Sequence, residues 1–475
     1  QCRVYMSLDA LRLEVPDLIE DRPESTLNEL AALLAAARSE RVETGLQSIL
    51  ALLFRLNRCN LTLLERQLTL QSFSAEYQFY AQAFQSHKQP SALFIRLNHE
   101  MAAGFKRLLL QILQGRSPSR PHLAWCLYMA VHFLAHSMLR HFQLYQEPPP
   151  SIWRDSHLLY WIGEHQNCLD ELVAAAFIPL PANTLRGLYQ QMLLLALSNP
   201  FHLAEGEAFE LFSALAPIAS LGRLLPWDSE DDSEGPIVDL GESEPCLGPK
   251  QKVTSAAEHL RRLELGALLI ALHEPAPLRT KTQQALLENV QLHWLGRMQR
   301  QHERSETNGS CNLIIGLQEI HKRLMGHDTQ VSNAQMLDSS AGGTCLLCHG
   351  DQGGDLSVGQ LLLLLGGNGT STLAIVRWRH LNSEGLHIGL RYLTGLPRPI
   401  WLRRAPGSQA RPGVLQSTSA AGNNWHHAVW LTLDLFSEGE SLWLQLVNAD
   451  KQTVIKLPAA NLLTPCVSRH PLKLS

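Results

Sequence analysis

The sequence lacks several features that would assign it to a familiar functional class. Its formal net charge is only -4 over 475 residues, so nothing global favours nucleic acid as a partner. The most apolar helical run, residues 124–139, is too short to span a bilayer. We find no Gly-x-Ser-x-Gly and no paired-carboxylate motif. We therefore predict no enzymatic activity, no nucleic-acid partner and no membrane insertion.

Cysteine is sparse and shows no regular spacing. The nine cysteines are odd in number and lie mostly in apolar helical sequence, which favours reduced thiols over a disulfide framework. The chain begins Gln1-Cys-Arg without a signal-peptide pattern, and the missing initiator Met suggests a trimmed start. We therefore predict a cytoplasmic location.

Hydrophobic residues make up 45% of the chain and charged residues 18%, which is ample for a folded core. Residues 1–225 show helical periodicity almost throughout, and we predict an all-helical domain there. We expect a first helix that Thr26 caps. The helices expected after it cover residues 42–56, 62–85, 91–114, 122–145, 151–177, 183–197 and 205–215.

An acidic stretch follows the helical part. It begins Asp228-Ser-Glu-Asp-Asp-Ser-Glu and carries proline and glycine, so we interpret residues 226–250 as an acidic linker. An alternative is a decoy that competes for arginine side chains. Two further helices, 254–273 and 280 to about 301, predict a two-helix connector over residues 251–296.

The periodicity changes to that of strands after Asn308-Gly309. Short apolar or alternating runs separated by turn residues indicate an antiparallel barrel or sandwich. The expected strands are 311–320, 343–348, 360–365, 372–378, 386–392, 399–402, 427–435, 441–446 and 453–457.

Three pieces around the first strands combine charge, glycine and spacing. A basic segment contains Arg297 and the Arg-x-x-x-Arg pair Arg300 and Arg304. The run from Asp338 to Gly343 spells Asp-x-Ser-x-x-Gly, with Ser340 and Gly342 inside it. Ile375-Val-Arg-Trp, which holds Arg377 and Trp378, is followed by Ile388-Gly-Leu.

In this order and in β-rich surroundings, these pieces resemble the PilZ domain. The resemblance implies a six-stranded β-barrel over residues 297–400, with residues 401–475 as a β extension, that binds the bacterial second messenger cyclic di-GMP. The fold class is then α+β multidomain: an N-terminal all-α module followed by a PilZ-like antiparallel β-barrel. The gap from Arg304 to Asp338 is longer than the family pattern, and residues 326–336 look like the extra turn.

The resemblance implies ligand-binding roles for Arg300, Arg304, Asp338, Ser340 and Gly343. Guanidinium forks match phosphate oxygens and the O6 and N7 atoms of guanine. A carboxylate accepts from the N1 and N2 edge of guanine, and a glycine permits close backbone approach. Gly342 belongs to the same turn, and Arg377 or Trp378 would supply a further stacking face.

This resemblance predicts a receptor that relays cyclic di-GMP to a protein partner through its helical module, with no cofactor. A protein-interaction scaffold with a degenerate, non-binding barrel is the alternative. On a simpler interpretation, the arginines are a solvated helix end and the Asp-x-Ser-x-x-Gly run is an ordinary hairpin turn.

Two other patterns suggest metals less well. Cys345-Leu-Leu-Cys348-His349 spells a haem-attachment string, but on a strand the two sulfurs would point to opposite faces. His132 and His136 have a helical zinc spacing without an acidic residue between them, so we favour core or groove histidines. We predict no metal site.

Overall fold

The computed structural model describes residues 12–85, 92–115, 119–174, 184–227, 235–247, 255–274, 276, 279–296, 303–349, 356–366, 370–419, 425–447, 449 and 452–472. The chain forms two compact units. The first comprises Gln1–Pro200 and Gly206–Met298, and the second comprises Phe201–Glu205 and Gln299–Ser475.

The first unit is built mainly from helices. These are α1 Glu24–Ser39, α2 Val42–Asn57, α3 Leu63–Gln85, α4 Ala92–Gln114, α5 Arg120–Gln143, α6 Pro150–His165, α7 Leu185–Leu197, α8 Glu207–Leu215, α9 Gly266–Leu272 and α10 Lys281–Trp294. A small antiparallel sheet joins them, formed by β1 Arg223–Pro226, β2 Ile237–Asp239 and β3 Leu260–Glu264 in the order β1-β3-β2. None of the helices among the described residues is long and apolar enough to cross a membrane.

Helix α5 forms the centre of this unit because it is apolar on nearly all sides, and it packs against α4, α6, α7 and α8. Ser119 caps it by accepting from the amide of His122, and a proline stands in its first turn. Helix α10 begins with a capping box formed by Thr280 and Gln283. The indole of its last residue, Trp294, is buried, and the indole Nε1 donates to the carbonyl of Leu194 at 3.0 Å.

Several predicted helices differ from the structure. The predicted helix 254–273 is wrong over its first half, where β3 is hydrogen-bonded between β1 and β2 and α9 follows it. The predicted helix 151–177 ends earlier, at His165, because the chain turns at Asn167 with φ 51°. Helix α10 ends at Trp294 instead of continuing to 301, since Gly296 adopts φ 63°, the left-handed conformation typical after a helix end. The domain boundaries themselves stay predictions.

The second unit contains a closed antiparallel barrel of six described strands. These are β4 Ser305–Ile315, β5 Ser332–Ser339, β6 Gly343–Cys348, β7 Leu361–Leu365, β8 Ser371–Asn382 and β9 Gly385–Leu393, arranged in the order β4-β5-β6-β9-β8-β7. The predicted fold class, helices followed by an antiparallel β region, is therefore confirmed.

The predicted strand 311–320 is wrong at its end. Strand β4 stops at Ile315, Gly316 turns the chain with φ 87°, and helix α11 covers Leu317–Leu324. The additional residues between Arg304 and Asp338 therefore include this helix, and they are not a turn at 326–336. Strand β5 was missed because its sequence, Ser-Asn-Ala-Gln-Met-Leu-Asp-Ser, contains few β-branched or aromatic residues.

Alternate residues of the barrel strands fill its interior. The buried interior side chains are Cys311, Leu313, Ala334, Leu346, Cys348, Leu356, Leu362, Leu364, Ala374, Val376, Leu386, Ile388 and Leu390. The residues between them along each strand point outwards, since strand side chains alternate. This alternation gives the barrel an apolar interior and a separate outer face.

A second sheet follows the barrel. Its strands are β10 Leu396–Arg403, β11 Arg411–Ser419, β12 Trp425–Thr432, β13 Ser441–Leu446, β14 Gln452–Lys456, β15 Leu462–Leu463 and β16 Val467–Leu472. They pair in the order β14-β13-β10-β11-β12-β16-β15. Val414, Trp430 and Val467 on one face pack against outer residues of the barrel and α11. Residues such as Ile400, Leu415 and Val429 form a separate apolar core on the other face.

Candidate functional site

The Asp-x-Ser-x-x-Gly run forms the tight turn between β5 and β6. The amide of Ser340 donates to the carbonyl of Gly343 at 2.9 Å, and its hydroxyl donates to the same oxygen at 3.1 Å. The amide of Gly342 donates to the Ser340 hydroxyl at 3.3 Å. A side chain at position 343 would collide with the carbonyl of Leu390, so glycine is required by the close approach of β9.

Arg304 is held at the mouth of this turn by an ion pair with Asp338. Its Nη1 lies 2.8 Å from Oδ2 and 3.1 Å from Oδ1 of the carboxylate. Oδ1 also accepts from the backbone amide of Cys345 at 3.0 Å. The two side chains are 31% and 25% exposed, so both remain accessible to a ligand. Two residues that are 34 positions apart in the sequence therefore meet at one place.

Asp338 begins a row of residues that crosses four neighbouring strands. Strand pairing places Asp338 opposite Cys345, Cys345 opposite Gly389, and Gly389 opposite Trp378. The indole of Trp378 lies directly against Gly389, where a side chain would overlap the ring. Trp378 is partly exposed, so a face of the site can be aromatic.

Two irregularities shape this row. The pairing register shifts between Met336 and Asp338 in β5 and between Val376 and Trp378 in β8. Bulges redirect side chains and occur frequently beside functional sites. Here they turn Asp338 and Trp378 to the outer face. Without the bulges, these side chains would point into the barrel together with Met336 and Val376, because residues two apart in a regular strand share a face.

A shallow, open pocket lies at the turn. Its volume is about 460 Å³, within the range of small-molecule sites. It is lined by Glu303, Arg304, Ser305, Ser339, Ser340 and Ala341. The predicted motif residues Arg304 and Ser340 thus share one concave surface.

The remaining predicted residues are placed as follows. Gly342 is part of the turn and its carbonyl accepts from the amide of Tyr392 at 2.9 Å. Arg377 is exposed next to Trp378, at the bulge of β8. Arg297 and Arg300 lie outside the described residues.

Sequence reasoning missed one cationic residue beside the turn. Arg391 is exposed and lies opposite Gly343 in the β6–β9 pair and opposite Ile375 in the β8–β9 pair. Its position on the outer face follows from pairing between strands that are distant in sequence. The local sign of this position was the alternation along β9: Ile388 and Leu390 point into the barrel, so Arg391 points to the opposite, outer face.

The two cysteines of the Cys-x-x-Cys-His string lie on opposite faces of β6. Cys348 belongs to the barrel interior, whereas Cys345 lies on the outer row, so the sulfurs point to opposite faces as predicted. The pKa of each thiol is raised to about 11, mainly by burial and, for Cys345, also by the Asp338 carboxylate. No metal-binding group of His, Cys, Asp or Glu occurs among the described residues.

The histidine pair of α5 is part of the helical core. The ring centroids of His132 and His136 lie 4.4 Å apart, and His132 packs edge-on against Phe133. Burial lowers the pKa of His132 to about 3 and lowers that of His136 well below its usual range. Both imidazoles are therefore neutral near pH 7, which supports the prediction of core histidines.

Comparison with known proteins gives one finding, and it concerns the helical part of the chain. No curated protein and no solved structure matches. Residues 28–229, which run from α1 to β1 and just beyond, match the family described as the N-terminal domain of the cyclic-di-GMP receptor FimW. The first unit is thus similar to the N-terminal domain of a cyclic-di-GMP receptor family.

Proposed function

We propose that this chain is a cyclic di-GMP receptor whose PilZ-like barrel binds the messenger and whose helical module relays binding to a protein partner. The observation that carries the proposal is the convergence of Arg304, Asp338 and the Ser340 turn on one accessible surface. No catalytic role is part of the proposal.

The chemistry of the turn suits a guanine nucleotide with two phosphates. Arg304 supplies a guanidinium that can pair with phosphate or with guanine O6 and N7. The Asp338 carboxylate can accept two hydrogen bonds from guanine N1 and N2. A ligand that donates to Asp338 competes with Arg304 for the same oxygens, so binding would release the guanidinium toward the ligand.

Two separate parts of the chain support the same ligand. The family match ends at residue 229, and the barrel turn with its ion pair involves Arg304 and Asp338. The two parts therefore do not overlap in sequence. The description of that family names cyclic di-GMP, which the site chemistry suggests independently. We assign the same ligand to this chain on both grounds.

Isothermal titration with cyclic di-GMP tests the proposal. We expect saturable binding, which Asp338→Ala and Arg304→Ala should each weaken by roughly 2–5 kcal/mol because they remove charge-assisted contacts. Matched controls are Asp328→Ala and Arg323→Ala, which alter exposed residues of the same unit that lie away from the pocket. The stoichiometry of the titration would distinguish one bound messenger from two.

The titration also separates the receptor from a scaffold. Absence of binding at high micromolar cyclic di-GMP would reject the receptor and leave a protein-interaction scaffold with a non-binding barrel. If the control variants Asp328→Ala and Arg323→Ala weaken binding as much as Asp338→Ala and Arg304→Ala do, the site lies elsewhere on the protein.

The relay requires the ligand to have different affinities for two states of the protein. The basic segment with Arg300 follows α10 in the sequence, so contacts between its arginines and the ligand would provide a route to the helical module. Small-angle scattering with and without cyclic di-GMP should give different curves. Superimposable curves at saturating ligand would contradict the relay while leaving the binding function intact.

A further inference from the structure

Near one end of the second sheet, one face of β10, β11 and β12 is exposed at Leu396 and Trp425 and buried at Ser417 between them. Strand pairing places Leu396 of β10 opposite Ser417 of β11, and Ser417 opposite His427 of β12. The Ser417 hydroxyl lies 2.9 Å from Nδ1 of His427, which shows that their side chains share one face. This is the face whose interior forms the apolar core with Leu415 and Val429.

Arg398 and Trp425 belong to the same face by strand alternation, because each lies two residues from a member of the row. Arg398 is exposed, Leu396 is 57% exposed and Trp425 is 50% exposed. We call Leu396, Arg398, Trp425 and His427, which surround the buried Ser417, the Trp425 patch. Large apolar side chains exposed together in this way mark interaction surfaces.

The Trp425 patch itself carries one arginine, Arg398, whereas Arg404 at the end of β10 pairs with Glu440. From Gly385 to Leu433 the sequence contains five arginines and neither aspartate nor glutamate. Among the described residues Arg398 has no carboxylate partner. Burial lowers the pKa of His427, and the charges of Arg398 and His426 lower it further, so the local potential is positive.

We propose that the Trp425 patch is a docking surface for an acidic segment of a partner protein that also carries an apolar side chain. Tryptophan and arginine are the residues that most often dominate binding energy in protein interfaces. The positive potential would steer a negatively charged segment and disfavour a basic one. The exposed Leu396 and Trp425 require an apolar counterpart, which favours a peptide over a nucleic acid whose contacts would be mainly phosphates. This proposal does not depend on cyclic di-GMP.

A labelled synthetic peptide of alternating glutamate and leucine is the probe. We expect the full-length protein to bind it in fluorescence anisotropy, with affinity that falls as salt is raised. Arg398→Ala and Leu396→Ala should each weaken binding about tenfold or more. The matched controls Arg411→Ala, at the far end of β11, and Leu463→Ala, on β15 and 70% exposed, should change affinity less than about twofold.

Three results would overturn the proposal. One is absence of binding to the acidic peptide up to millimolar concentration. Another is equal affinity for a peptide in which glutamine replaces every glutamate. The third is equally strong binding of a single-stranded oligonucleotide that Leu396→Ala leaves unchanged, which would indicate a phosphate-binding surface instead.

Discussion

The indole of Trp378 lies against the backbone of Gly389 on the neighbouring strand, so closely that a side chain at position 389 would overlap the ring atoms. This contact fixes an aromatic face on the same outer row as Asp338, three strands away. The glycine is therefore part of the candidate site although it contributes no functional group. Its role is to leave room for the indole.

Gly389→Ala should displace Trp378 and destabilise the barrel by about 1–3 kcal/mol, since the added methyl group is forced into occupied space. Chemical denaturation and near-ultraviolet circular dichroism would measure the loss of stability and the change at the indole. Gly309→Ala on β4 is the control, because a side chain there meets nothing within 4 Å. Equal stability of both variants would show that the indole can move aside at no cost.

The helical unit contains a buried ion pair. Lys106 Nζ lies 2.6 Å from Asp155 Oδ2, and the side chains are 2% and 0% exposed. Asp155→Ala should lower the free energy of unfolding by about 3–5 kcal/mol, because the ammonium group would remain buried without its partner. Urea denaturation followed by far-ultraviolet circular dichroism would measure the change.

Asp170→Ala provides the comparison for that variant. Asp170 pairs with Arg186 at the surface, where its side chain is 69% exposed, so we expect a loss of less than about 1 kcal/mol. Adding Lys106→Met to Asp155→Ala should recover part of the stability, since no charge is then left buried. A double variant less stable than Asp155→Ala would show that Lys106 has another buried partner.

His157 should make the stability of the helical unit depend on pH. Its Nε2 lies 2.7 Å from the carbonyl of Glu244 and its Nδ1 lies 2.6 Å from the Tyr189 hydroxyl, so the neutral ring donates to the carbonyl and accepts from the tyrosine. Burial lowers its pKa to about 4. In the unfolded chain a histidine titrates near about 6.5.

Between about pH 6.5 and 4, therefore, the unfolded state binds a proton at His157 that the folded state does not. The free energy of unfolding should fall as pH falls through this window, by up to about 1.4 kcal/mol per pH unit from this residue. His157→Asn should reduce that slope in urea denaturation at several pH values. His349→Asn, which alters an exposed residue, should retain the wild-type slope. An unchanged slope in His157→Asn would assign the pH dependence to other groups.

Local sequence patterns predicted most helices and many strands of this protein. Strand β6, from Gly343 to Cys348, and strand β13, from Ser441 to Leu446, have the predicted bounds because turn residues flank short apolar runs. Strand β5 was not predicted, since its residues favour a strand only when β4 and β6 pair with it on both sides. The same dependence on neighbours explains β3, whose apolar sequence suits a helix equally well.

The sequence alone determined which residue types are available for a ligand: the arginines, the Asp-x-Ser-x-x-Gly turn and its glycines. It also determined that helices precede strands, because periodicity is a local property of the chain. Only the tertiary structure decided that Arg304 reaches Asp338, that Trp378 lies on Gly389, and that Arg391 lies opposite Gly343. These relationships depend on barrel closure and on two bulges, which bring together residues whose separation in sequence carries no information about their distance.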